Sequence, residues 1–382
     1  MELKSYVADI LAEIESEGRK AVERYAEKFD GYRGPFRVKE ESFPNPDEIS
    51  TADAEAIEAA ISRIRQHHTR QKPEDEFYIN SGSLYGTIYR PLGRVGIYVP
   101  GGNPLPSSLI MTAVPARIAG VKEIIVTCPP SSGEIDPYVL YVAELLEINE
   151  VYKLGGAQAI GAMAYGAGLP SVDKIFGPGN RYVNEAKRQV YGEVGIDGLA
   201  GPSEVCIIAD DSANRKNVLA DLRAQLEHGD SSRAWLLTTS TELGKYCEDS
   251  GAKVEIKNDL DSCIDRANLI APEHLELITI EAERLLDRVQ NAGAVYLGEF
   301  TPAAAADYFL GVNHVLPTGR AARFDSVLTV RDFMKPISVA RTGKKEFREN
   351  SEIGKRLAKI EKMTEHLNSL EVRDNETNYG GS

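Results

Sequence analysis

Six histidines stand in the 382-residue chain, and four of them have neighbours with which they could do chemistry. His228 follows Gln225 in Leu222-Arg-Ala-Gln-Leu-Glu-His. On a helix these two side chains share a face, and an amide oxygen with an imidazole nitrogen can hold a metal ion. Gln is an uncommon ligand, so taken alone the pair reads more simply as an ordinary amphipathic face. Glu273 precedes His274 in Ile270-Ala-Pro-Glu-His-Leu-Glu-Leu, where Pro272 predicts a helix start. Such a pair could supply a general base and a carboxylate that activates water; its plainer reading is a charged first turn suited to the helix dipole. His314 lies in Gly311-Val-Asn-His-Val-Leu-Pro-Thr, with Asp307 upstream, a composition that loops also use to cap turns. Glu361 and His366 belong to a charged helical stretch, and His67 and His68, among Arg and Gln, are expected on a solvated helix face.

Glycine supplies a second signal. Tyr98-Val-Pro-Gly-Gly, Gly155-Gly-Ala-Gln-Ala-Ile, Gly177-Pro-Gly-Asn and Gly201-Pro-Ser-Glu each adjoin a predicted strand, the place where α/β sheets bind ligands. These turns could floor a nucleotide pocket or simply be tight strand-to-helix connections. Neither the Gly-x-Gly-x-x-Gly fingerprint nor the phosphate loop ending in Gly-Lys-Ser/Thr is present. From the residues alone, the reading is a ligand-binding α/β enzyme, with metal dependence left open.

The elements that must position these groups can be read from periodicity. Leu3, Val7, Ile10, Leu11 and Ile14 recur at helical spacing, and the pattern runs to Phe29 before Asp30-Gly31, so one long helix is expected. A second helix is expected over 52–71. Strands are expected at 95–99, 123–127, 151–154, 174–176, 205–209, 234–238, 254–256 and 294–297, most of them separated by helical stretches, the alternation that builds parallel sheets. After Arg331 no further strand is expected, and 351–372 reads as a single charged helix. One α/β unit, 98–203, is inserted between the pieces 21–97 and 204–330 of another, flanked by a helix in 1–20 and a tail over 331–382.

Composition narrows the class. With 42% hydrophobic and 27% charged residues the chain can bury full cores, which excludes wholesale disorder. Lys and Arg total 44 against 58 Asp and Glu, and a net charge of −14 argues against nucleic acid or an anionic membrane as the main partner. Val95 to Ala116 and Leu154 to Val172 carry no charge, but their prolines and glycines preclude a lipid-facing helix. Cys128, Cys206, Cys247 and Cys263 form no Cys-x-x-Cys pair, so neither a disulfide framework nor a thiolate metal site is indicated. No leader is visible in the charged first thirty residues, and a cytoplasmic location is expected.

Read in order, Tyr98-Val-Pro-Gly-Gly, Gly155-Gly-Ala-Gln-Ala-Ile, Phe176-Gly-Pro-Gly-Asn, Ala200-Gly-Pro-Ser-Glu-Val, Gln225-Leu-Glu-His, Ala271-Pro-Glu-His-Leu-Glu-Leu, Asn313-His-Val-Leu-Pro-Thr and Glu361 with His366 closely resemble the histidinol dehydrogenase family over nearly the whole chain. The resemblance implies two incomplete Rossmann-like α/β/α domains, one inserted in the other, and a helical C-terminal tail exchanged between the subunits of a homodimer. It implies zinc and NAD as cofactors and oxidation of L-histidinol to L-histidine through L-histidinal, in two hydride transfers. Carried over by position, the zinc ligands are Gln225, His228, Asp307 and a partner's His366. Glu273 and His274 become the acid-base pair, with His274 taking the alcohol proton and Glu273 activating water. Substrate contacts are Ser203, His314 and Glu361 together with the ligands and His274, and NAD contacts are Tyr98, Gln158 and Asn180.

The chain departs from the family in being short and in reading Ala306-Asp-Tyr-Phe-Leu-Gly-Val-Asn before His314, changes that spare every assigned ligand. The sequence leaves two alternatives. A paralogue of the same fold could oxidise another small alcohol, such as a sulfonated propanediol, though the Glu361 carboxylate would repel a sulfonate. A non-catalytic metal- or nucleotide-binding protein would have no need of Glu273 and His274.

Overall fold

The computed structural model describes residues 2–44, 48–102, 105–229 and 231–374. Two compact units divide the chain, one made of Met1–Lys72 and Pro91–Phe333, the other of Pro73–Arg90 and Met334–Ser382.

Two parallel five-stranded sheets build the larger unit. The first has the order Glu150–Lys153, Glu123–Cys128, Arg94–Tyr98, Lys174–Phe176, Gly195–Ile196. The second has the order Lys253–Ile256, Arg233–Thr238, Glu204–Ala209, His274–Ile278, Ala294–Leu297. In each, the chain lays three strands outward in one direction, returns, and adds two on the other side of the first. In the first sheet the reversal leaves a crevice at the carboxyl end of the central strand where connections diverge, which is where open α/β sheets bind ligands. Every residue of Glu204–Ala209 and of His274–Ile278 is buried, so both strands are covered on both faces, as parallel strands with crossover helices must be.

All eight expected strands are present within a residue or so of their bounds. A further central strand, His274–Ile278, replaces the expected helix start at Pro272. The preceding helix, Leu260–Ile270, ends on Ala271 in the left-handed conformation, φ 52°, so Pro272 follows a helix stop. The amino-terminal helix is also two: Leu3–Glu17 and Arg19–Asp30 meet at Gly18, whose φ of 62° lets its N–H close onto Ile14 O while the chain turns. Leu3–Glu17 packs on helix Gly156–Tyr165, where Gly161 gives room for Leu11 and Ile14. His68, expected in solvent, is fully buried on helix Thr51–Thr69 and lies 3.3 Å from the Asn313 amide nitrogen.

Gly177 illustrates how closely the turns of the first sheet are built. Its φ is +109°, and a Cβ there would stand 2.1 Å from the carbonyl oxygen of Tyr98. Its N–H donates to Asp197 Oδ2 at 2.7 Å, and its carbonyl accepts from the buried Lys187 ammonium at 3.0 Å. Gly177→Ala must distort both this turn and the end of strand Arg94–Tyr98, and is expected to cost about 3 kcal/mol or more. A shift of the urea midpoint at constant slope measures it; a loss under about 1 kcal/mol would contradict the clash.

The smaller unit contains a three-stranded sheet in the order Glu76–Asn80, Ser83–Pro91, Met334–Arg341. Its hairpin turns through Ser81 and Gly82, both at positive φ. Residues 73–90, expected within the first α/β piece, therefore cluster with the tail, and Met334–Arg341 is a strand where none was expected. The expected helix 351–372 is two helices, Lys344–Ile360 and Thr364–Asp374, parted by Lys362 at φ 58° and joined again by Ser351 Oγ donating to Asp374 at 2.8 Å.

Candidate active site

The second sheet presents its chemistry at the amino ends of its two central strands. His274 opens strand His274–Ile278, with Glu273 just before it; Ser203 precedes strand Glu204–Ala209 alongside. Helix Arg215–Leu226 carries Gln225, and His228 follows in the turn beyond its end. Helix Ala303–Tyr308 carries Asp307, and His314 comes from the loop after it. All seven side chains line one cavity of about 260 Å³. Five elements distant in sequence thus converge on one pocket.

Glu273 is buried, and its Oε2 accepts the backbone N–H of Glu204 at 2.9 Å, which ties the two central strands together at the site. Its Oε1 lies 3.8 Å from His274 Nε2. Burial pushes the Glu273 carboxyl up to about 8, with the nearby Asp307 and Glu204 carboxylates adding to the shift. Burial also lowers His274 to about 4, against the pull of Asp307. The two are therefore a neutral acid beside a neutral base at pH 7 rather than an ion pair, the separation of roles that acid-base chemistry uses.

Asp307 sits among imidazoles. Burial alone would raise its pKa, but the His314, His274 and His228 rings hold it below the ordinary range. His314 Nδ1 is 3.2 Å from Asp307 Oδ1 yet is not aligned for a hydrogen bond, and among the described residues it has no other partner. His228 Nδ1 is 3.2 Å from the carbonyl oxygen of Gln225; donation there leaves the Nε2 lone pair free, the arrangement of a metal-ligating histidine. The Gln225 amide is buried, and among the described residues its Nε2 has no partner. Amide nitrogen and oxygen are interchangeable by rotation, so this group can equally offer its oxygen to a cation. Among the described residues no group of three or more His, Cys, Asp or Glu side chains is arranged to hold a metal ion. An amide, an imidazole and a carboxylate in one pocket are nonetheless a donor set that zinc accepts.

The glycine turns frame a second cavity, of about 550 Å³, at the carboxyl end of strand Arg94–Tyr98. Tyr98, Gln158 and Asn180 all line it. The Tyr98 hydroxyl accepts the N–H of Gly156 at 3.2 Å, and Asn180 caps helix Arg181–Val190 by accepting from Tyr182 and Val183. Asp30 also lines this cavity and accepts from Gly155 N–H and Gln158 Nε2. Sequence reasoning took Asp30 only as part of a helix stop, and nothing in its local sequence reveals that the first helices fold onto the Gly155 turn.

Glu361 and His366 lie in the smaller unit, exposed, on either side of the turn between its two helices. The cavity that holds Gln225 and Asp307 is lined by residues of the larger unit alone. Sequence reasoning also missed Tyr296, whose hydroxyl is 3.0 Å from His274 Nδ1, and Glu276, buried two residues beyond His274 on the same face. The period-two spacing of Glu276 from His274 was the available signal for the second, once the segment is taken as a strand.

Known proteins resemble this chain along nearly its whole length. The family model described as histidinol dehydrogenase matches residues 1–255 and 245–374. The chain is 60% identical over 372 residues to the histidinol dehydrogenase of Thermococcus kodakarensis, covering 97% of this chain and 99% of that one. It is 42% identical to the Thermus thermophilus protein of the same name, covering 97% and 94%. A crystal structure of histidinol dehydrogenase from Elizabethkingia anophelis superposes with a TM-score of 0.94 at 35% identity, over 98% of this chain and 92% of that one.

Proposed function

The chain belongs to the histidinol dehydrogenase family, and on that premise we propose that it oxidises L-histidinol to L-histidine through L-histidinal, with zinc and NAD as cofactors. The observation that carries this reading is the placement of Glu273 and His274 in the wall of the cavity that also holds Gln225, His228 and Asp307. When bound, zinc would supply a Lewis-acidic anchor for the substrate's nitrogens, and NAD would accept the electrons of each oxidation.

Everything else falls to the chain's own groups. Gln225, His228 and Asp307 would hold the metal, with His366 of a second copy as the fourth ligand. His274, neutral and buried, takes the alcohol proton. Glu273, in its ionised form, removes a proton from the water that adds to the aldehyde while the protonated His274 returns its proton to the aldehyde oxygen, giving a gem-diol that can be oxidised again. Ser203 and His314 line the same cavity and would contact the substrate. Glu361 of the second copy would balance its ammonium charge. Tyr98, Gln158 and Asn180 would contact NAD in the neighbouring cavity. A chelated substrate in a pocket closed by a second subunit keeps the aldehyde from leaving between steps. Among the described residues no helix is long and apolar enough to cross a membrane.

The test is stoichiometric. Purified protein reconstituted with zinc is expected to form two NADH per L-histidinol, and a chelator is expected to abolish turnover until zinc is restored. One NADH per alcohol, or no turnover after reconstitution, would overturn the proposal.

A further inference from the structure

We propose that Tyr296 is a positioning residue for His274: its phenolic oxygen accepts the Nδ1 proton and so fixes the ring in the tautomer whose Nε2 lone pair is free to take the substrate's proton. The inference rests on the reading of His274 as the base and adds to it the group that orients that base.

The geometry comes from the sheet. Strands His274–Ile278 and Ala294–Leu297 are parallel neighbours in which Glu276 pairs with Tyr296 and His274 with Ala294. Tyr296 therefore lies on the same face as His274, one pair further along, and its long side chain reaches back across the diagonal. The rings stack at 5.7 Å between centroids with 27° between planes, and the hydroxyl comes within 3.0 Å of Nδ1. Tyr296 is 3% exposed, and among the described residues His274 is its hydrogen-bond partner. Both rings are thereby held, the imidazole by its edge and by its face.

A phenol can donate or accept, so the direction of this bond decides what His274 can do. If the hydroxyl donated to Nδ1, the ring proton would sit on Nε2 and the imidazole could not accept one there. Nε2 is the ring nitrogen beside Glu273 Oε1 in the cavity wall, at 3.8 Å, so a ring that takes the substrate's proton there carries its own hydrogen on Nδ1 and gives it to the phenolic oxygen 3.0 Å away. When Nε2 takes the alcohol proton the ring becomes cationic, Nδ1–H stays on nitrogen, and its bond to the phenolic oxygen becomes charge-assisted. Tyr296 therefore stabilises the state in which His274 carries the substrate's proton more than the state before it.

Tyr296→Phe keeps the stacked ring and removes only the oxygen. In the zinc-loaded enzyme it is expected to lower kcat about tenfold while leaving KM for L-histidinol nearly unchanged, since the bond strengthens only as charge develops. Selective ¹⁵N-histidine labelling, with the His274 resonances assigned by their loss in His274→Asn, is expected to show a protonated Nδ1 in the wild type and a protonated Nε2 in the variant. A wild-type Nε2–H tautomer overturns the inference, as does a variant with unchanged kcat or an unchanged tautomer. Turnover retained in His274→Asn would instead remove the reading of His274 as the base, and the ¹⁵N spectra would still decide whether Tyr296 sets the tautomer.

Discussion

His274→Asn is expected to reduce kcat for L-histidinol on the order of a thousandfold, with zinc content and thermal stability close to those of the parent. The size follows from what is removed. His274 is buried, and its lowered pKa of about 4 keeps the ring neutral throughout the pH range in which the enzyme would work. Without a base at this position the alcohol proton must leave to solvent, and the surroundings oppose that. The cavity wall around it is formed by Glu273, itself protonated at pH 7, and by side chains assigned to hold the metal. Asn is the suitable replacement because its amide can still donate to the Tyr296 oxygen, so that the strand edge keeps its hydrogen bond and only the basic nitrogen is lost. Steady-state NADH formation together with metal analysis of the same sample measures the effect. A loss of less than tenfold in a folded, zinc-loaded sample would show that another group takes the proton.

The two sheets were legible because parallel strands buried on both faces leave short β-branched runs, such as Val205–Ala209, that no amphipathic helix resembles. The strand His274–Ile278 hid for a physical reason. It carries His274 and Glu276 on one face and follows Glu273, and polar residues in a fully buried central strand contradict the pattern by which such strands are found. A site built into the core produces this failure, because the residues that break the local rule are those that line its cavity. His68 shows the opposite error: its neighbours are polar, and packing against parts far along the chain, Asn313 among them, makes it core. The hairpin at Ser81-Gly82 was missed because its first strand, Glu76–Asn80, is exposed at every position and leaves no alternation to read. The pairing of Gln225 with His228, and of Asp307 with His314, was visible as spacing. Their convergence on one pocket was supplied by the resemblance and is now matched by the fold.

Glu273→Gln is expected to divide the two oxidations. With His274 as the proposed base for the alcohol proton, the first oxidation should fall by a modest factor, whereas addition of water to the aldehyde loses its proposed base and the second should fall about a hundredfold or more. The observable is the product: histidinal accumulates, and NADH per histidinol consumed drops from two towards one. The raised pKa gives this variant a second signature. Below the value of about 8 the carboxylate fraction grows with pH, so in the parent the second oxidation climbs with pH and then levels, and the variant lacks that limb. A cation bound beside Asp307 favours the carboxylate and moves the limb to lower pH, which makes its position a report on the metal. Stability should change in the opposite sense to activity. A carboxyl whose pKa is higher folded than unfolded weakens the fold progressively as pH rises above its ordinary value of 4.5, and the penalty levels off above about 8. Gln can still accept the Glu204 N–H but carries no charge to desolvate. The metal-free variant should therefore exceed the parent in stability at pH 8, by on the order of a few kcal/mol, and match it near pH 4. Equal stability at both pH values would mean that Glu273 is ionised without cost in the folded chain. Equal loss of both oxidations would mean that it serves the first proton transfer as much as the second.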